Sequence, residues 1–187
     1  RNDVFDPTAG YLGRVQLELA GLAGAGTNQF VRAEFNFSAY WNLGRERLLF
    51  GSGVVTGWAG PYGATEEIPP QDLFYAGGPQ SVRGFEYEKL RTNPLGNPQG
   101  GNVLLVLHLI DFQFPIFWWF QGALFSDAGY VWDDLSSVNL KDLRFTAGPG
   151  VRLASPIGLF HLDVGFQLDR LGQPESYEFG FGYGRPF

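Results

Sequence analysis

From Tyr177 to Tyr183 every odd position is an aromatic ring: Tyr177, Phe179, Phe181 and Tyr183. The even positions carry Glu178, Gly180, Gly182 and Gly184, and the sequence closes on Phe187. A period of two describes a strand with one broad apolar face and one thin, polar face. A strand of this kind suits a barrel wall, with rings towards lipid and small residues towards a lumen. A soluble sandwich would have to bury every ring between two sheets.

The rest of the chain repeats the pattern. Strands are expected at about 11–20, 30–41, 47–58, 102–114, 120–132, 143–153 and 159–168, with the C-terminal strand as the eighth. In the second, Arg32, Glu34, Asn36 and Ser38 oppose Ala33, Phe35, Phe37 and Ala39. The seventh sets His161, Asp163, Gly165 and Gln167 against Phe160, Leu162, Val164 and Phe166. Pro115 is expected to end the fourth. Segments of this length span a bilayer as tilted strands. No run of apolar residues is long enough for a transmembrane helix.

The fold class that follows is all-β: a transmembrane antiparallel up-and-down barrel of eight strands, one domain over residues 1–187. Connections after strands two, four and six are short, and the others are longer and more polar. That asymmetry places short turns and both termini in the periplasm, with a long extracellular loop at about 59–101. Tyr11, Trp41, Trp58, Phe117, Trp118, Trp119, Tyr130 and Trp132 fall near strand ends, as interface girdles do. Phe117-Trp118-Trp119-Phe120 is the densest patch and is expected on the periplasmic rim.

The even face is charged. Arg14, Glu18, Arg32, Glu34, Asp111, Arg144, Arg152, Asp163 and Glu178 are expected in the lumen, with Asp127. Mixed signs suit a filled lumen, because buried charges need partners. The formal net charge is -6, without a basic cluster, so nucleic acid is excluded as a partner. The chain has no Cys, which removes thiolate metal sites and a Cys nucleophile.

The long third connection contains Gly77-Gly78, then Val82-Arg83-Gly84-Phe85. Further along come Phe125-Ser-Asp127-Ala-Gly129, Gly148-Pro-Gly-Val-Arg152, Ser155-Pro-Ile-Gly158 and Leu162-Asp163. With Asp6-Pro-Thr-Ala-Gly10 at the start and the terminal Phe187, these stand in the order of the BamA/TamA superfamily of outer-membrane assembly and translocation barrels. The chain resembles the second half of such a barrel. The resemblance implies a role in inserting or translocating proteins across the outer membrane of a Gram-negative-type bacterium. It implies no enzymatic activity and no cofactor; the alternatives are a small structural or oligomeric barrel without translocation activity and, behind it, a lipid-modifying membrane enzyme. Its implied partners are the lipid bilayer, other outer-membrane proteins or a second copy of the chain. It also implies that Arg83 meets Asp127 on the inner wall, flanked by Phe125 and Gly129.

Family barrels have sixteen strands. The even strand count and the complete alternation of the first strand favour a small barrel in which strands one and eight close on each other. Its narrow lumen would leave the loop outside. Two chains combining into a larger barrel is the other arrangement. A Ser/His/Asp set exists in Ser126 or Ser176, His161 and Asp163, but Ser126 is expected on the lipid face and no G-x-S-x-G elbow is present. His108 is assigned to the outer face and His161 to the lumen, which makes a shared metal site improbable. Glu66-Glu67 and Asp133-Asp134 read as solvated loop acids.

Overall fold

The computed structural model describes residues 9–21, 28–44, 48–155, 158–172 and 176–184. Eight strands follow in turn: β1 (Gly10–Ala20), β2 (Phe30–Asn42), β3 (Leu49–Pro61), β4 (Val103–Phe117), β5 (Phe120–Trp132), β6 (Arg144–Ser155), β7 (Gly158–Gln167) and β8 (Tyr177–Tyr183). Each pairs antiparallel with the next, so order in the sheet equals order in the chain. Up-and-down connection follows from turn length: Trp118 and Trp119 alone join β4 to β5, and antiparallel neighbours need no longer link. Asp6, Pro156, Ile157 and Phe187 lie outside the described residues.

The sheet is open. Among the described residues β1 and β8 are its edges and do not pair with each other. The expected closure of the first strand on the last is therefore not made. Both faces of β1 are exposed along most of its length. Arg14 and Glu18, expected in a packed lumen, are uncovered for the same reason: an edge strand lacks the flanking and facing walls that bury a barrel's interior.

Two irregularities sit in β4. The register with β5 slips between His108 and Ile110, and again between Pro115 and Phe117. Pro115 consequently lies within the strand instead of ending it; a residue without an N–H fits where the ladder is already interrupted. The earlier slip is a β-bulge that reverses which parity faces inward. Val106 and His108 are buried before it, and Asp111 and Gln113 after it. His108, assigned from strict alternation to the outer face, is thus on the inner one.

The long connection, residues 62–102, does not stay outside. Its Phe74, Ala76, Val82, Phe85 and Leu90 are buried in one cluster with Phe30, Ala59, Leu104, Val106 and Val131 of the wall. The apolar core is made by loop against sheet, not by sheet against sheet. Gly57 makes room for the Phe74 ring, which a Cβ there would strike. The outer face keeps its rings exposed, including Phe179 and Phe181. Trp132, expected in a girdle, is instead only 3% exposed, and its Nε1–H donates to Asp142 in the β5–β6 connection.

Candidate functional site: the seat of Arg83

The site is a buried layer where the long loop meets β4, β5, β6 and β7. Alternation puts Phe125, Asp127 and Gly129 on one face of β5, and each serves the loop differently. The Arg83 guanidinium lies 3.8 Å from the centroid of the Phe125 ring. Its Nε–H and Nη2–H donate to the two oxygens of Asp127 at 2.6 and 2.8 Å. The Arg83 backbone N–H adds a further bond to Asp127 at 3.2 Å. At Gly129 a Cβ would come within 2.7 Å of Val82, so the absent side chain is the space Val82 fills. A planar fork can stack on a ring and grip a carboxylate at once; an ammonium cannot.

The third Arg83 nitrogen, Nη1, donates to Asp111 at 2.9 Å. Asp111 also accepts from Gln113 at 2.7 Å and lies 3.6 Å from Arg152. Arg152 is bound in turn to Asp163, whose other oxygen accepts from His161 Nδ1 at 2.9 Å. His108 Nδ1 lies 3.0 Å from Asp127. Arg83, Asp111, Asp127, Arg152, Asp163 and both histidines are all essentially sealed from solvent. Charges this deep persist only when paired, and each Asp and Arg of the layer has an opposite charge within 3.6 Å.

Glycine shapes the rest of the seat. Gly84 adopts φ 93°, a conformation that favours glycine. It packs against Gly165 of β7, where an added Cβ would collide with Gly84 backbone atoms. The Gly84 carbonyl accepts from Gln167 at 2.8 Å. Phe85 is buried, with the Arg144 guanidinium 4.4 Å from its ring centroid.

The sequence-expected residues divide by depth. Val82, Arg83, Gly84, Phe85, Phe125, Asp127, Gly129, Asp111, Arg152 and Asp163 converge on this layer. Arg32 and Glu34 form a half-exposed pair at 3.7 Å. Arg144 reaches Asp169 and the Leu90 carbonyl near the sheet's rim. Glu178 is half-buried on β8, on the face opposite Tyr177 and Phe179. The sequence does not single out Gly165 and Gln167 as contacts of the loop, nor His108 and Gln113 as partners of Asp127 and Asp111. Period two marks Gln167 and Gly165 as inward-facing, but nothing local marks what they face.

The Ser/His/Asp set does not assemble. Ser126 is on the opposite face of β5 from Asp127 and donates to the Thr146 carbonyl. Ser176 lies beside Gln167, at the other end of β7 from His161. Asp133 is occupied by Arg91, which donates two bonds at 2.8 Å. Arg91 holds the Asp133 carboxyl below the usual carboxylate range, chiefly through this hydrogen bonding.

A family model described as the Omp85 superfamily domain matches residues 1–187. The chain belongs to the Omp85 superfamily. Among Omp85-type relatives, the outer membrane protein assembly factor BamA of Neisseria meningitidis is 30% identical over 219 aligned residues. That alignment takes in 97% of this chain and 26% of the relative. The protein of the same name from Nitratidesulfovibrio vulgaris is 28% identical over 192 residues, covering 97% of this chain and 23% of that one. The chain thus spans about a quarter of the length of these curated relatives. The crystal structure of BamA from Haemophilus ducreyi lacking POTRA domains 1-3 superposes with a TM-score of 0.75 at 22% identity. It covers 98% of this chain and 40% of that chain, a likeness of fold. The open eight-stranded meander is accordingly a transmembrane barrel wall, as its sequence resemblance implied.

Proposed function

We propose that this chain is half the wall of an outer-membrane barrel that serves protein insertion or translocation. It does so as a structural device, without cofactor or catalysis. The observation that supports the reading best is the seat of Arg83. The loop is anchored by buried charge to the inner wall, in a chain whose relatives are named as assembly factors. Its partners are then the bilayer and other outer-membrane proteins.

Orientation follows from connection length. The 62–102 segment enters from the extracellular side, while the Trp118-Trp119 turn and both termini lie at the periplasmic side. Exposed Phe117, Trp118 and Trp119 sit at the membrane interface there.

The open edges favour a ring larger than eight strands. Lipid leaves an unpaired edge unsatisfied, so further strands must complete β1 and β8. They come from the same polypeptide or from a second copy.

The test is depletion of the native protein in cells, with the wild-type or Arg83→Ala protein supplied in its place. Loss of other outer-membrane barrels under Arg83→Ala is expected. If those barrels stay at normal levels while this protein alone disappears, the insertion reading fails.

A further inference from the structure

Trp132 lies on the outer side of the wall. Val131 belongs to the core shared with the long loop, so the next side chain along β5 points the other way. It stands beside Tyr130, with ring centroids 5.3 Å apart. Val103 is opposite Trp132 in register, and Trp58 is on the other flank of Val103. Yet Trp58 is 40% exposed and Trp132 only 3%. Two tryptophans at one level of a lipid-facing surface thus differ in cover. The β5–β6 ladder stops at Gly129 and Arg144, so on that flank Trp132 has the 133–142 connection as its neighbour. Asp142 accepts from the indole Nε1–H at 3.1 Å, which sets this end of the connection on the outer side.

The connection satisfies its own polar groups. Asp134 caps the tight turn Leu135–Ser137, and Asn139 caps Leu140–Asp142, each accepting from a backbone N–H of its turn. Asp133 is engaged by Arg91. From Leu135 to Leu140 no residue is charged. Leu135, Val138 and Leu140 are nevertheless 63%, 39% and 66% exposed. Leu135 and Val138 are three residues apart across a tight turn, the spacing at which side chains eclipse. One exposed leucine is ordinary. Three aliphatic side chains within six residues extend the apolar outer face that Phe145 begins on β6. Depth agrees with this placing. β5 has 13 residues between the exposed Trp118-Trp119 turn and the connection. At about 3.3 Å per residue and a tilt of about 45°, such a strand rises about 30 Å, the thickness of the hydrocarbon core.

We propose that the 133–142 connection is an interfacial anchor. Leu135, Val138 and Leu140 enter the acyl-chain boundary of the leaflet on the side of the long loop, and Lys141 stays at headgroup level. Trp132 is the post on which the segment leans, and the segment takes the place in the girdle that a bare ring would have filled. With Trp118 and Trp119 at the other end, β5 is fixed at both boundaries. This anchoring requires only a lipid-facing wall, whether or not the barrel inserts other proteins.

The absence of Cys makes a spin-label test direct. Leu135→Cys, Leu140→Cys and Lys141→Cys each take one nitroxide in the full-length protein, held in vesicles of phosphatidylethanolamine and phosphatidylglycerol. Phe145→Cys, exposed on the outer side of β6, is the lipid-facing reference. Collision of the label with oxygen, which concentrates in lipid, is compared with collision with a water-soluble nickel chelate. Labels at Leu135 and Leu140 should favour oxygen, as the Phe145 label does, and the Lys141 label should favour nickel. Preference for nickel at Leu135 and Leu140 overturns the proposal. So does protection from both reagents, which means that a protein surface and not lipid covers the leucines. Oxygen preference at Lys141 equal to that of its neighbours overturns it as well, since the label's own affinity for lipid then explains the signal.

Discussion

The backbone of Gly84, in the long loop, rests on the backbone of Gly165 in β7. Neither residue has a side chain to hold them apart, and the contact is what lets the Gly84 carbonyl reach Gln167. Gly165→Ala should push the loop off the wall, because its Cβ meets backbone that cannot swing aside. A destabilisation of about 1–3 kcal/mol is expected. It should appear in denaturant unfolding, together with faster proteolysis within 62–102.

Truncating the arginine should cost more. Arg83→Ala strands Asp127 and Asp111 in a sealed layer, and a loss of about 3–5 kcal/mol is expected. Arg83→Lys should recover only part of it, since one ammonium cannot stack on Phe125 while gripping two oxygens. Equal stability of Arg83→Lys and wild type in denaturant titration would contradict the fork-and-stack account.

Asp127→Asn and Asp111→Asn should separate clearly. Asp127 receives Arg83 through two guanidinium nitrogens and the backbone N–H, whereas Asp111 receives a single Arg83 nitrogen. The Asp111 variant should retain the seated loop at reduced stability, and the Asp127 variant should lose it. Protection of loop amides from hydrogen exchange is the measurement.

Trp118 occupies the β4–β5 turn at φ 47° and is 87% exposed. A bulky residue in that conformation is strained. Trp118→Gly should relieve about 1 kcal/mol in detergent. The same change should weaken partitioning into vesicles by removing an interfacial ring. A variant less stable in detergent would count against the strain argument.

The Arg91–Asp133 pair ties the loop to the β5–β6 connection at the rim. Asp133 is held below its ordinary range, so the pair's contribution is present above the free carboxyl value of about 3.9 and is lost as pH falls past the lowered one. Solvent reaches Asp133, so Arg91→Ala should cost only about 0–1 kcal/mol at neutral pH. Its difference from wild type should vanish in strong acid, as followed by thermal unfolding across pH.

Alternation made the strands readable, because a half-lipid, half-lumen wall must repeat every two residues. Tyr177 to Tyr183 is such a wall, and so is Gly158–Gln167. The pattern misled at His108, where one bulge residue reverses the parity of a strand and no residue type announces it. Pro115 misled for a related reason: its missing N–H matters only where a ladder bond exists. The seat itself was readable only in part. Val82-Arg83-Gly84-Phe85 and Phe125-x-Asp127-x-Gly129 pointed to each other by resemblance, but the place of Gly165, Gln167 and Asp111 around Arg83 depends on neighbours 28 to 83 residues away. Closure between β1 and β8 was misjudged because regular alternation says which way a face points, not what lies across from it.

The apolar cluster of this molecule is made by the 62–102 segment against the inner wall. The strands have no interior of their own to collapse upon, so the segment acts as a mandrel around which they are wound. Val82 touches β5 at Gly129, and Gly84 with Gln167 fastens the same segment to β7. The loop therefore ties together strands that are not neighbours in the sheet. Cutting it short would take away the apolar surface that β2, β3, β4 and β5 share, so the wall would lose its common centre rather than a mere appendage.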